Sequence, residues 1–106
     1  MPNRSESALK VLEVKGLLAS KKLFPRPLPK TMIAYAVDVD HIIIAEAPLE
    51  ELEERALAKG EVEVAEQDDA YVLKLPEKLY AFYKLDENDY TIMVPERGPL
   101  MLVIAL

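Results

Sequence analysis

Cysteine and tryptophan are absent from this 106-residue sequence, histidine occurs only at position 41, and glycine only at positions 16, 60 and 98. Without cysteine there are no disulfides, thiolate metal sites or cysteine nucleophiles. Glycines this scattered form no phosphate-cradling loop. Serine is confined to Ser5, Ser7 and Ser20, so no Ser/His/Asp set can be assembled with His41. Enzyme is therefore the least supported class, with no catalytic residue and no cofactor expected. No apolar run reaches the roughly 18 residues of a membrane helix, and the opening MPNRSESALK lacks the apolar core of a signal peptide. A cytoplasmic protein with no membrane partner is the expectation.

What is present fits a globular domain: 51% hydrophobic and 30% charged residues. One glutamine and two asparagines among many Glu and Lys give a thermophile-like composition. The net charge of −6 conceals a split. Residues 1–30 carry seven Lys/Arg against two Glu, whereas residues 31–106 carry six basic against seventeen acidic side chains. The reading is a basic arm (1–30) on an acidic body (31–106). Such an arm either seeks phosphates or docks on the acidic body of its own or a partner chain.

Residues 3–23 predict a helix. Asn3 and Glu6 have capping-box spacing, and Ala8, Val11, Leu12 and Leu18 recur near helical spacing. Gly16 weakens it by about 1 kcal/mol, and LKVLEV also fits a strand. In FPRPLPK (24–30), Pro25, Pro27 and Pro29 favour extended polyproline II. A stiff spacer explains it better than a Pro-rich ligand for an aromatic groove. Residues 32–46 read as two strands joined at Asp38–Asp40, the second covered on both faces. A helix follows from Pro48 to Lys59, with Leu49, Leu52, Ala56 and Leu57 as its stripe, a Glu51–Arg55 pair and Gly60 as its stop.

The stretch Glu61–Leu106 organises the rest. Residues 61–66 alternate as a strand, Gln67–Asp69 turn, and Tyr71–Leu75 return. Pro76 opens a short helix through Tyr83, with Leu79 and Phe82 or Tyr83 inward. A turn at 86–89, where Asn88 tolerates left-handed geometry, precedes a hairpin of Tyr90–Val94 and Leu100–Ile104 turned at Arg97–Gly98. An offset of 28 residues places Pro48 on Pro76, Val62 on Tyr90, Val64 on Ile92 and Val72 on Leu100. That faint repeat reflects either duplication or the self-matching of any chain with this element order.

Asp38, Asp40 and His41 are the one group resembling metal ligands. Metal sites usually need three or four ligands and no partner group is evident, so a solvated polar turn explains them better and no metal is expected. Tyr71, Tyr80, Phe82, Tyr83 and Tyr90 suffice for base stacking, but they sit in the acidic body at core-like spacing.

The segment YVLKLPEKLYAFYKLDENDYTIMVPERGPLMLV resembles the AbrB/MazE/SpoVT swapped-hairpin family. Leu73, Leu75 and Pro76 stand at the strand-to-helix junction, and Leu79 at the first inward helix position. Leu85, Asn88 and Asp89 stand where that family has an aliphatic residue, glycine and aspartate, and Gly98 falls at the hairpin turn. The resemblance implies an interleaved homodimer of ββαββ chains that binds DNA. It departs from the family at the first turn, where Gln67-Asp68-Asp69 replace basic residues and would repel phosphate.

The expected fold is α+β: a small, mostly antiparallel, barrel-like sheet built on 61–106 (ββαββ), with an added hairpin and helix from 32–60 and an N-terminal helix and arm. A βαββαβ two-repeat α/β sandwich is the alternative. The leading expectation for function is a homodimeric, AbrB-like transcriptional regulator contacting duplex DNA through Lys21, Lys22, Arg26 and Lys30. The alternative is a protein-interaction or oligomerisation module of the same fold, without DNA binding, whose acidic surface recognises a basic protein partner.

Overall fold

The structure, a computed structural model, describes residues 16–85, 89–95 and 98–106. Among the described residues seven strands and two short helices succeed one another: β1 (Leu17–Ser20), a 3-10 turn (Lys21–Leu23), β2 (Thr31–Ala36), β3 (His41–Ala45), α1 (Glu50–Arg55), β4 (Ala58–Gln67), β5 (Ala70–Lys74), α2 (Glu77–Phe82), β6 (Thr91–Met93) and β7 (Met101–Ala105). They make one sheet in the order β1-β5-β4-β2-β3-β7-β6, and every neighbouring pair is antiparallel. The two edges curl toward each other: the Leu18 N–H, on β1, donates to the Tyr90 hydroxyl, just before β6, at 3.2 Å. The sheet is therefore barrel-like and nearly closed.

Alternation along each strand sets the inside. Leu17 and Ala19, Met32 and Ala34, Ile42 and Ile44, Tyr71 and Leu73, and Leu102 and Ile104 all turn inward and are buried. Each large aliphatic side chain removed from water contributes about 1.5–3 kcal/mol. α2 packs on this core: its Leu79 is 2% exposed, and the Tyr83 and Leu85 that follow are buried with it. Gly60 lets α2 approach, since a Cβ there would lie 2.3 Å from the Pro76 ring. Among the described residues no polar or charged residue is buried and no buried side-chain polar atom lacks a partner.

The structure corrects three expectations. First, the predicted helix over 3–23 does not extend through its described part: residues 17–20 are strand β1, paired with β5 from Leu17↔Leu73 to Ser20↔Ala70. Gly16 sits where a Cβ would lie 2.4 Å from Val72 Cγ1, so it marks close packing on β5. The rest of that helix lies outside the described residues. Second, the helix expected from Pro48 to Lys59 is α1 alone. The Leu57 N–H bonds the Ala36 carbonyl at 2.8 Å, and Ala58, Lys59 and Gly60 join the β2 ladder, so Gly60 is a strand residue and stops no helix. Third, no Glu51–Arg55 ion pair forms among the described residues; Glu53 pairs with Lys59 at 2.6 Å. Of Phe82 and Tyr83, Tyr83 is the inward one.

Both hairpins of 61–106 form, as β4–β5 and β6–β7, but they do not adjoin in the sheet. β2 and β3 stand between them, with β2 on β4 and β3 on β7. The 28-residue offset thus lays interior strand β4 on edge strand β6. The turn expected at 86–89 has only Asp89 within the described residues, so the geometry expected of Asn88 lies outside them; among the described non-glycine residues left-handed backbone occurs at Asp68 and Lys84. Of the Arg97–Gly98 turn only Gly98 is described, with φ of 90°.

Candidate functional site

The strap from Lys21 to Lys30 was the sequence's candidate for nucleic acid, and it lies against the body. Lys21 Nζ contacts Glu66 Oε1 at 2.6 Å and sits 5.5 Å from the centre of the Tyr71 ring; the Glu66 carboxylate raises its pKa. Arg26 Nη2 contacts Glu46 Oε2 at 2.7 Å, and the same oxygen accepts from the Leu100 N–H at 3.0 Å. Phe24 meets the Tyr71 ring edge-on, 5.6 Å between centres. The Leu28 N–H donates to the Tyr71 hydroxyl, and the Lys30 carbonyl accepts from the Val64 N–H at 2.8 Å. The proline-rich stretch cannot pair along its length, because proline lacks the N–H, so these separate anchors hold it. Lys22 and Lys30 have exposed side chains with no ion pair among the described residues. Two of the four predicted cations are thus occupied by the body's own carboxylates.

The β2–β3 turn brings Asp38, Asp40 and His41 together. Three carboxylate contacts face the one ring nitrogen: His41 Nδ1 lies 2.9 Å from Asp38 Oδ1, 3.1 Å from Asp38 Oδ2 and 2.7 Å from Asp40 Oδ1. The Asp40 N–H donates to Asp38 Oδ1 at 3.0 Å. That N–H, the Asp40 side chain and His41 together hold the Asp38 carboxyl down at about 2. Asp38 in turn raises the His41 pKa, with Asp40 adding to it. The Tyr83 hydroxyl reaches this turn from beyond α2, 2.6 Å from the Asp38 carbonyl and 3.2 Å from that of His41. Burial and the two aspartates raise its own pKa. All three side chains of the group are open to solvent. Ion pairing and turn hydrogen bonds account for the arrangement.

The outer face of the sheet carries a feature the sequence reading missed. Three consecutive isoleucines on β3 place Ile42 and Ile44 inside, so Ile43 points outward. It neighbours β7, through Ile43↔Val103 and Ala45↔Met101. α1 lies over this face, held by one buried hydroxyl: Tyr35 accepts from the Leu49 N–H at 3.1 Å and donates to Glu53 Oε2 at 2.5 Å. Lys59, then Tyr35, hold the Glu53 carboxyl below the usual range. Between α1 and β7 lies an open trough of about 480 Å³ lined by Ile43, Pro48, Leu49, Leu52 and Met101, with Glu50 and Glu51 beside them. The legible signal was the run Ile42-Ile43-Ile44 itself, since alternation forces one of three to face out.

A smaller depression of about 260 Å³ lies at the α2 end of the barrel, lined by Ala36, Leu57, Ala58, Lys78, Leu79 and Phe82. Among the described residues no helix is long and apolar enough to cross a membrane. Comparison with family models, curated proteins and solved structures finds no match to this chain.

Proposed function

We propose that this chain is a protein-interaction module, an acidic barrel that recognises a basic partner, and that its basic strap braces the barrel. One observation carries this reading over the DNA-binding regulator: Lys21 and Arg26 are already paired with Glu66 and Glu46. A phosphate taken up by either would have to displace a carboxylate. It would also approach a body carrying seventeen acidic residues against six basic ones. Lys22 and Lys30 alone offer a thin footprint for a duplex.

The expectation of a homodimer came from the resemblance, in which two ββαββ chains interleave, and from the apolar strand edges that a lone ββαββ unit leaves exposed. Within this chain β5 is covered by β1, β4 by β2 and β7 by β3, which leaves β1 and β6 as the edges at which a second copy would pair.

Fluorescence anisotropy of a labelled mixed-sequence duplex tests the reading, at about 50 mM and about 200 mM salt, between which multi-phosphate contacts weaken sharply. The expected result is no saturable binding at either. Binding at low salt that collapses at high salt, and is lost when Lys21, Lys22, Arg26 and Lys30 are all neutralised, would restore the DNA-binding regulator.

A further inference from the structure

The body's carboxylates divide into two sets. Glu46, Glu53 and Glu66 each meet a cation of the same chain: Arg26, Lys59 and Lys21. Glu50 and Glu51, like Glu54, Glu61, Glu63 and Glu77, meet none among the described residues, and of these Glu50 and Glu51 line the trough beneath α1. On β4 the outer face is polar. β4 shows Lys59, Glu61 and Glu63 there, opposite Tyr35, Ile33 and Thr31 of β2. At the trough it becomes apolar, with half-buried Ile43 and Met101 below and Leu49 and Leu52 on the helix side. An apolar floor beside unpaired carboxylates suits side chains that carry both properties.

We infer that the trough between α1 and β7 is a docking site for a cationic amphipathic peptide segment. Its apolar side chains lie on Ile43, Leu52 and Met101, and its Lys or Arg side chains face Glu50 and Glu51. This deepens the interaction-module reading and rests on it. Charge selects the occupant. A polyanion is repelled by the acidic rim. A second copy docking through the same face would bring two acidic rims into one interface, which like-charge repulsion opposes. The chain supplies its own precedent: Arg26, from a strap of alternating prolines, already binds Glu46, two residues before Pro48 at the trough.

The test is a titration of the full chain, methyl-labelled for NMR, with a synthetic 14-residue peptide of Leu and Lys in amphipathic pattern. Two control peptides carry Lys→Glu or Leu→Ser throughout. The expected result is saturable shifts at the Ile43, Leu52 and Met101 methyls with the Leu/Lys peptide alone. Affinity should fall about three- to tenfold in the Glu50→Gln/Glu51→Gln variant and at least about fivefold in Leu52→Ala. α1 has no buried residue, so neither variant endangers the fold. Shifts centred instead on Leu57 and Leu79 would overturn the trough assignment while leaving an interaction module. Shifts of the trough methyls that grow with protein concentration before peptide is added would make a second copy the occupant and overturn the inference. No shift with any peptide overturns the inference as well. If duplex DNA then binds in the anisotropy titration, the interaction-module reading falls with it.

Discussion

α1 and α2 begin alike and end in different roles. Each is a six-residue helix entered beside a proline, with a leucine three residues after its N-cap: Leu52 after Leu49, and Leu79 after Pro76. In α2 that leucine is in the core, and the C-cap residue Tyr83 is buried behind it. In α1 no residue is buried, and the helix is fastened from below by the Tyr35 hydroxyl. A short apolar spacing in a sequence thus states that a face is sticky, not what it sticks to. α2 meets the open end of a barrel and becomes its plug. α1 meets a finished sheet from outside and leaves half its apolar face over a trough.

The sharpest way to break this contrast is to truncate the two leucines. Leu79→Ala should cost about 2–5 kcal/mol in urea denaturation, as a cavity in a packed core does. Leu52→Ala should cost clearly less, about 1 kcal/mol, because Leu52 is only half-buried and outside the core. Equal costs would erase the distinction between plug and platform. A smaller effect is expected of Tyr35→Phe, which removes the hydroxyl bridging Leu49 and Glu53. Global stability should fall by about 1 kcal/mol, while the amides of Leu52 and Glu53 should exchange markedly faster and those of Leu79 and Tyr80 should not. Uniform acceleration in both helices would contradict it.

The smallest effect concerns the turn that Tyr83 reaches. Asp38 has a folded pKa of about 2, below the ordinary value of about 3.9. Its contribution is therefore complete above that ordinary value and lost as pH falls toward 2. His41 is raised, so its contribution is complete below the ordinary value of about 6.5 and lost as pH rises through the folded value. Between those limits the turn is at its firmest. An NMR titration should place His41 above the ordinary value in the parent, and nearer to it in Asp38→Asn. An ordinary value in the parent would sink the ion-pair account of this turn.

The sequence made legible what is decided locally. Asp38–Asp40 and Gln67–Asp69 announced their turns, the alternation of Glu61–Glu66 announced β4, and Pro76 with Leu79 announced α2. What it concealed depends on distant partners. β1 is a strand because Leu17 meets Leu73 far along the chain, and Leu17-Leu18 hides its own alternation by being apolar on both faces. Leu57–Gly60 left the helix because the β2 backbone took their hydrogen bonds, outweighing the helix propensity of Leu, Ala and Lys. The charge split was plain, but where the cations go depends on Glu46 and Glu66, which no local pattern points to. The trough likewise needed β7 beside β3.

One measurement tests the division between plug and platform most directly: native-state hydrogen exchange of two matched amides, Ala56 and Tyr83. Each is the C-cap N–H of its helix and donates to the leucine four residues before, Leu52 at 2.9 Å and Leu79 at 3.1 Å. The account predicts that Ala56 exchanges through a local opening that costs well under the global unfolding free energy, while Tyr83 exchanges only with the core strands. Equal protection of the two amides would contradict it.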